Sequence, residues 1–309
     1  MTLLYYDPIF QEHETGNHPE NGGRTRAAIQ RLQQVGLDKQ CIRPSWTPAS
    51  TSRLGYVHAC EYLEQIEQYA KQGGGRIEAD TVLGPKSYEV ATMAAGAVCD
   101  AVERVVGGED TTAFCLLRPP GHHALPDHAM GFCLINNIAV GARVATEELD
   151  IDRVLIVDFD VHHGNGTQAM FWEDGDVGYF SMHRSPFYPG TGNEDEVGVG
   201  AGHGTTLNLP IDFGTPRETQ LTMFADKLDA FAKQIDPQLV LVSAGFDSHK
   251  DDPVGSLGLE SEDFRTLTRN LLDVAAEHAN GRLISVLEGG YDPAALAESI
   301  EIHLDEILQ

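Results

Sequence analysis

Four short stretches of this 309-residue sequence carry residue types suited to metal-assisted chemistry. Asp158-Phe159-Asp160-Val161-His162-His163-Gly164-Asn165-Gly166 supplies carboxylates and imidazoles at alternating positions. Arg118-Pro119-Pro120-Gly121-His122-His123 supplies adjacent histidines, Ala244-Gly245-Phe246-Asp247 another carboxylate, and Glu288-Gly289-Gly290-Tyr291 a phenol. Asp160 and His162, one residue apart on an extended segment, project to the same side and can share an ion. Asp247, arriving from another strand, would complete a donor set that leaves a position open for water and substrate. Nitrogen and carboxylate oxygen without thiolate suit Zn²⁺, with Fe²⁺ or Co²⁺ as substitutes. A single Asp-x-His after a strand is more often turn chemistry. The convergence of four such stretches is what argues for a site.

The remaining residues of these stretches suggest a reaction. A neutral imidazole of the His122-His123 pair, next to a metal-activated water, can take a proton and later give it to a leaving amine. Such a histidine needs an acceptor that fixes its tautomer, and Asp158 and Asn165 could provide one. The glycines at 289 and 290 would let Tyr291 swing toward the ion and donate a hydrogen bond to the oxyanion of a tetrahedral intermediate.

Positioning these groups requires a sheet. Strands are expected at Leu3–Tyr6, Ala113–Leu117, Val154–Val157, Val177–Met182, Leu207–Ile211, Leu239–Ser243 and Leu283–Leu287. Helices are expected over Arg24–Val35, Glu61–Lys71, Ser87–Val106, Asn137–Glu147, Gln220–Gln234 and Asp263–His278, with a last one from Pro293. The runs Val154-Leu155-Ile156-Val157 and Leu239-Val240-Leu241-Val242 are continuously apolar, as in parallel strands covered on both faces. An α/β fold with a mostly parallel sheet follows, and an eight-stranded barrel is the rival layout. In an open parallel sheet ligands bind beyond the carboxyl ends of the strands, where all four polar stretches lie.

Composition narrows the function classes. With 47 acidic against 21 basic residues the net charge is −26, which opposes binding to nucleic acid. The acidity serves solubility, or draws cationic substrates toward a mouth. No apolar stretch approaches the ~20 residues of a membrane span, and the start has no basic region or apolar run of a signal peptide. Five scattered cysteines without a C-x-x-C pair suit reduced thiols in a cytoplasmic protein. Four of them, Cys41, Cys60, Cys99 and Cys115, read as small buried residues, and Cys133 stays open beside its motif.

Arg118-Pro119-Pro120-Gly121-His122-His123-Ala124, Gly131-Phe132-Cys133, Val157 through Gly166, Ala244-Gly245-Phe246-Asp247 and Leu287-Glu288-Gly289-Gly290-Tyr291, together with His18-Pro19-Glu20, resemble the zinc-dependent histone deacetylase family. Asn165 and the Glu288-Gly289-Gly290 form resemble its class II branch, which shares ancestry with bacterial deacetylases and acetylpolyamine amidohydrolases. The resemblance implies an arginase-like fold, one catalytic domain over residues 1–309 with a central eight-stranded sheet flanked by helices. It implies Zn²⁺ on Asp160, His162 and Asp247, His123 as general base and then acid beside Asn165, and His122 with Asp158 as electrostatic support. Tyr291 would polarise the acetyl carbonyl. Phe132 and Tyr188 would wall a narrow channel, with Gly131 and Gly290 also contacting substrate and Arg24 behind the site where acetate leaves. Many relatives carry phenylalanine at the Tyr188 position. A structural K⁺ near Asp158, Asp160, His162, Ser181 and Met182 is also implied. The expected activity is hydrolysis of acetylated lysine side chains, in a peptide or protein, or of similar acylated amines.

Three rival readings remain at this stage. A binuclear hydrolase of the same fold needs further ligands where Gly164 and His249 stand. A polyamine deacetylase carries an acidic gatekeeper where Asp252-Pro253-Val254 places Val254, although Asp251-Asp252 could still favour a cation. A non-catalytic acyl-lysine reader would lack one of the site residues, all of which are present. His183–Gly204 is long enough to close the mouth by pairing two chains into a homo-oligomer, and Asp80 is either a rim residue gripping substrate or an ordinary turn.

Overall fold

A computed structural model describes residues 1–309. Ten strands appear in chain order: β1 Thr2–Tyr5, β2 Cys41–Ile42, β3 Gly75–Arg76, β4 Val82–Leu83, β5 Thr112–Cys115, β6 Val154–Asp158, β7 Val177–Arg184, β8 Thr206–Ile211, β9 Leu239–Ala244 and β10 Leu283–Leu287. The helices are α1 Gly23–Val35, α2 Thr51–Leu54, α3 Cys60–Lys71, α4 Ser87–Val106, α5 Asn137–Glu148, α6 Asn165–Met170, α7 Arg217–Ile235, α8 Asp263–His278 and α9 Pro293–Ile307. Eight strands form one parallel sheet in the order β2-β1-β5-β10-β9-β6-β7-β8, and β3 and β4 make a separate antiparallel pair. The sheet is open, with β2 and β8 at its edges, so the barrel layout does not apply.

Alternation along the strands explains their unbroken apolar runs. Val154 and Ile156 of β6 point into the core shared with α3, α4 and α5, whereas Leu155 and Val157 point into the core under α1, α7, α8 and α9. Both faces are covered, so a polar side chain within these strands needs a buried partner. Ser285 in β10 is the instructive case, because its hydroxyl meets the Nε2 of buried His303 at 2.8 Å. The other ring nitrogen lies 2.7 Å from Thr268 Oγ1. Thr268 itself donates to the Phe264 carbonyl, so His303 Nδ1 donates to Thr268 and Nε2 accepts from Ser285.

The four strands that end in polar stretches, β5, β10, β9 and β6, are neighbours at the middle of the sheet. With strands about 4.8 Å apart, their loops converge within some 15 Å. Sequence patterns did not show the two-residue strands β2, β3 and β4, too short for a period, nor α6, whose single turn and a half opens at a polar Asn-Gly. Cys60 corrects the expectation of four buried cysteines: it is exposed in the first turn of α3, and Cys41 is half-buried, whereas Cys99 and Cys115 are enclosed. No helix is long and apolar enough to cross a membrane.

Burial pushes the His303 imidazole down to about 3 from its ordinary 6.5. The unfolded chain takes up a proton there below about pH 6.5 that the folded chain refuses, so stability falls with pH between 6.5 and about 3. The slope expected from this one group is about 1.4 kcal/mol per pH unit. Urea unfolding of His303→Gln should show a shallower loss between pH 6.5 and 5 than the wild-type chain; parallel curves would show that His303 is protonated in the fold.

Candidate metal centre and substrate cavity

The chain leaves β6 through two consecutive aspartate-stabilised turns. Asp158 Oδ1 accepts from the Asp160 N–H at 3.1 Å, and Asp160 Oδ1 accepts from the His162 N–H at 2.9 Å. Asp160 and His162 thus lie on a bend rather than on an extended segment, and the turns aim both side chains inward. Asp247, from the loop after β9, accepts from the Val161 N–H at 2.9 Å. Gly289, after β10, donates its N–H to Asp160 Oδ2 at 2.8 Å. One donor atom each from Asp160, His162 and Asp247 lies within 4.8 Å of the others, and all three residues are buried. His162 Nδ1 stands 3.0 Å from Asp160 Oδ1 and 3.1 Å from Asp247 Oδ2.

This donor set fits a cation. Burial and the neighbouring Asp160 push the Asp247 carboxyl up to about 7, since two adjacent carboxylates in a dry site cannot both keep their charge cheaply. Asp247 Oδ2 is sealed from solvent without a hydrogen-bond partner. A divalent ion between the three donors supplies both missing interactions, and one nitrogen with two carboxylate oxygens suits Zn²⁺ or its near neighbours. Gly164 shows why a second ion of the binuclear kind has no ligand here. A Cβ at Gly164 would come within 2.3 Å of Asp158 Oδ2 and 2.5 Å of the Tyr179 hydroxyl, and that hydroxyl already donates to Asp158 at 3.2 Å.

His122 and His123 stand side by side, with ring centroids 4.0 Å apart. His122 Nδ1 meets Asp158 Oδ2 at 2.9 Å. Burial opposes charge on His122, but Asp158 and Asp160 outweigh it and hold its imidazole up at about 10. His123 Nδ1 meets Asn165 Oδ1 at 2.7 Å. Burial, reinforced by His122 and His162, holds His123 well below the ordinary histidine range. The pair is therefore split into a cation and a neutral base by its surroundings. Asn165 Oδ1 can only accept, which puts the ring proton of His123 on Nδ1 and leaves Nε2 with a free lone pair.

A narrow cavity of about 210 Å³ opens onto this cluster, lined by Asp80, His123, Gly131, Phe132, His162, Phe187, Tyr188, Val254 and Tyr291. Tyr188 presents its ring edge-on to His123 at 5.3 Å and to His162 at 6.0 Å. Phe132 meets Tyr291 edge-on at 5.6 Å, and Phe187 stacks on His162 at 5.3 Å. Burial keeps the Tyr291 phenol well above its ordinary range, so it holds its proton. Arg24 and Gly290 do not line the cavity. Arg24 lies behind Tyr291, 4.7 Å from the ring centroid, and donates to the Gly290 carbonyl at 2.6 Å and the Glu288 carbonyl at 2.5 Å. Ser181 lies opposite Asp158 in the β6–β7 register, with Met182 next along β7.

Three features of the site were not visible in the sequence. Glu20 pairs with Arg118 through two bonds of 2.5 and 2.7 Å and accepts from Arg24 at 3.1 Å, which ties the His18-Pro19-Glu20 segment to the back of the site. Phe187, beside the expected wall residue Tyr188, forms a wall as well. Asp252 is turned inward: its Oδ2 accepts from the Tyr291 N–H at 2.6 Å, and its Oδ1 accepts from Val254 and Gly255, both at 2.9 Å. Its charge is spent on the protein's own backbone, which corrects the expectation that Asp252 could attract a cation; Asp251 remains exposed. Asp80 is a rim residue, lining the cavity while accepting from the Gly131 N–H at 3.1 Å.

The sequence pattern of the histone deacetylase domain matches residues 18–307. The chain is 38% identical over 285 residues to the histone deacetylase-like amidohydrolase of Pseudomonas aeruginosa, covering 92% of this chain and 75% of that protein. It is 38% identical over 300 residues to a probable deacetylase of Methanothermobacter thermautotrophicus, 96% and 88% of the two chains. With the human polyamine deacetylase HDAC10 the identity is 40% over 322 residues, 99% of this chain and 48% of the relative. The solved structure of the HDA15 HD domain superposes with a TM-score of 0.93 at 33% identity, covering 99% of this chain and 88% of that one.

Gly131 sits at φ 56° with its Cα against His123, where a Cβ would fall 2.3 Å from the ring Cδ2. Gly131→Ala combines a left-handed backbone with that clash, so it should destabilise the fold by about 1–3 kcal/mol. Denaturant unfolding checks this, and an unchanged midpoint would show that the turn shifts freely.

Proposed function

Because this chain belongs to the histone deacetylase family, we propose that it hydrolyses the amide of N-acetylated lysine side chains to free amine and acetate. The observation that carries the reading is the buried Asp160–His162–Asp247 cluster at the foot of a narrow cavity, flanked by a neutral His123 and a protonated Tyr291. Asp160, His162 and Asp247 would hold one Zn²⁺, for which Fe²⁺ or Co²⁺ can stand in. When bound, that ion polarises the amide carbonyl and acidifies a water beside it. K⁺ would sit at Asp158, Ser181 and Met182, where the last residue of β6 pairs with the middle of β7.

The chain's own groups have the following parts. Nε2 of His123 takes a proton from water and delivers it to the departing lysine nitrogen, with Asn165 holding the tautomer. His122, kept cationic by Asp158, opposes build-up of negative charge in the site. Tyr291 donates its hydroxyl hydrogen to the carbonyl oxygen as negative charge develops there. Phe132, Phe187 and Tyr188 close round the apolar methylenes of the substrate and exclude water.

A second reading, hydrolysis of acetylated polyamines, is favoured by the 40% identity to the human polyamine deacetylase. The apolar Val254 at the cavity and the inward-turned Asp252 weigh against it. An acetyl-lysine peptide should therefore be turned over with a higher kcat/KM than acetylspermidine, and the reverse order would transfer the proposal to the polyamine.

Two further measurements test the chemistry. Treatment with a zinc chelator should abolish acetate release from an acetyl-lysine peptide, and added Zn²⁺ should restore it; full activity of metal-free protein overturns the reading. Tyr291→Phe should lower kcat by about 10²–10³-fold, the usual cost of one oxyanion donor, or about 2.7–4 kcal/mol of barrier. Normal turnover by this variant would remove Tyr291 from the mechanism.

A further inference from the structure

Glu288 is a fully buried carboxylate to which the chemistry above assigns no part. It follows β10 at the centre of the sheet, three residues before Tyr291, and its side chain reaches the turn after β5 and the end of β9. Oε2 accepts from the Gly121 N–H at 2.6 Å and from the His122 N–H at 3.2 Å. Oε1 accepts from the Ser243 hydroxyl, on neighbouring β9, at 3.2 Å. The main chain of Glu288 is held as well, its N–H donating to the Ala244 carbonyl at 3.0 Å and its carbonyl accepting from Arg24.

The two N–H groups that Glu288 takes belong to the residues just before His123. That segment, between β5 and α5, has no helix or strand ladder of its own. Without the carboxylate, two buried backbone donors would be left without partners, each costing about 1–3 kcal/mol. The turn would then move to find other acceptors, carrying the His123 ring with it. Displacing a reacting group by about 1 Å can cost 10²-fold in rate.

We propose that Glu288 is a positioning residue that sets the location of the His123 imidazole by clamping the backbone of Gly121 and His122 to the rigid ends of β9 and β10. The inference rests on the reading of His123 as the proton acceptor. What the clamp requires is an acceptor oxygen at the right reach, not a negative charge. The side-chain oxygen of Gln at 288 can accept both N–H bonds while its NH₂ donates to the Ser243 hydroxyl. Asp at 288 keeps the charge but withdraws the carboxylate by one methylene.

The test compares Glu288→Gln and Glu288→Asp with the wild-type chain, all zinc-loaded, on an acetyl-lysine peptide. Glu288→Asp should lose about 10- to 100-fold in kcat with KM and zinc content unchanged, whereas Glu288→Gln should restore kcat to within about threefold. The imidazole NMR signals of His123 should shift in the Asp variant and stay in place in the Gln variant. An active Asp variant with a defective Gln variant would show that charge matters and overturn the proposal. Equal activity in both variants, high or low, would overturn it too. A wild-type chain that does not turn over the peptide would defeat the deacetylase reading instead, and the NMR comparison then decides on the clamp alone.

Discussion

Carboxylates gathered in a dry interior must each find a donor or a cation, and the centre of this molecule is arranged around that requirement. Asp158, Asp160, Asp247 and Glu288 are all enclosed at the ends of β6, β9 and β10. Asp158 takes His122 and the Tyr179 hydroxyl; Asp160 takes backbone N–H groups from His162 and Gly289; Glu288 takes N–H groups from the turn after β5. Asp247 Oδ2 alone among them has no well-formed hydrogen bond, with only His162 Nδ1 standing 3.1 Å away. The neighbours of the cluster are thus committed to other oxygens, which leaves Asp160, His162 and Asp247 as a donor set that a cation would satisfy.

The same economy runs through the support behind the cavity. Arg24 and Arg118 share Glu20, and Arg24 spends two further donors on the carbonyls of Glu288 and Gly290. Asp252 does from the mouth what Arg24 does from behind, taking the Tyr291 N–H with one oxygen and the Val254–Gly255 turn with the other. The backbone around the phenol is held from two directions by side chains that lie outside the cavity lining. The Val254 side of the cavity and the Tyr291 loop are therefore tied to each other through Asp252.

How much of this could be read from the sequence depended on distance along the chain. Apolar runs such as Val154–Val157 and Leu239–Val242 gave away buried parallel strands because periodicity is a local property. Asp160 and His162 were legible as a pair for the same reason, although the bend that aims them was not. Glu288 and Gly121 are 167 positions apart, and nothing in either neighbourhood announces the bond between them. Asp252, expected with Asp251 to favour a cation, has its partners in the backbone N–H groups of Tyr291 and Val254, which no local pattern reveals. Ser285 interrupts the apolar run of β10, and its reason lies in His303, from α9 on another layer of the fold. Residues whose meaning lies in a partner from another layer of the fold stay silent until the layers are stacked.

The collision that would meet any side chain at Gly164 bears on history as well as chemistry. A lineage could not acquire a second ion by adding a ligand at that position alone, because Tyr179 and Asp158 already occupy the volume. Trimming Tyr179 first would strip a partner from Asp158 and open a void under the histidine pair. That position is therefore closed to a further ligand by the atoms packed around it, and not only by the lack of a side chain.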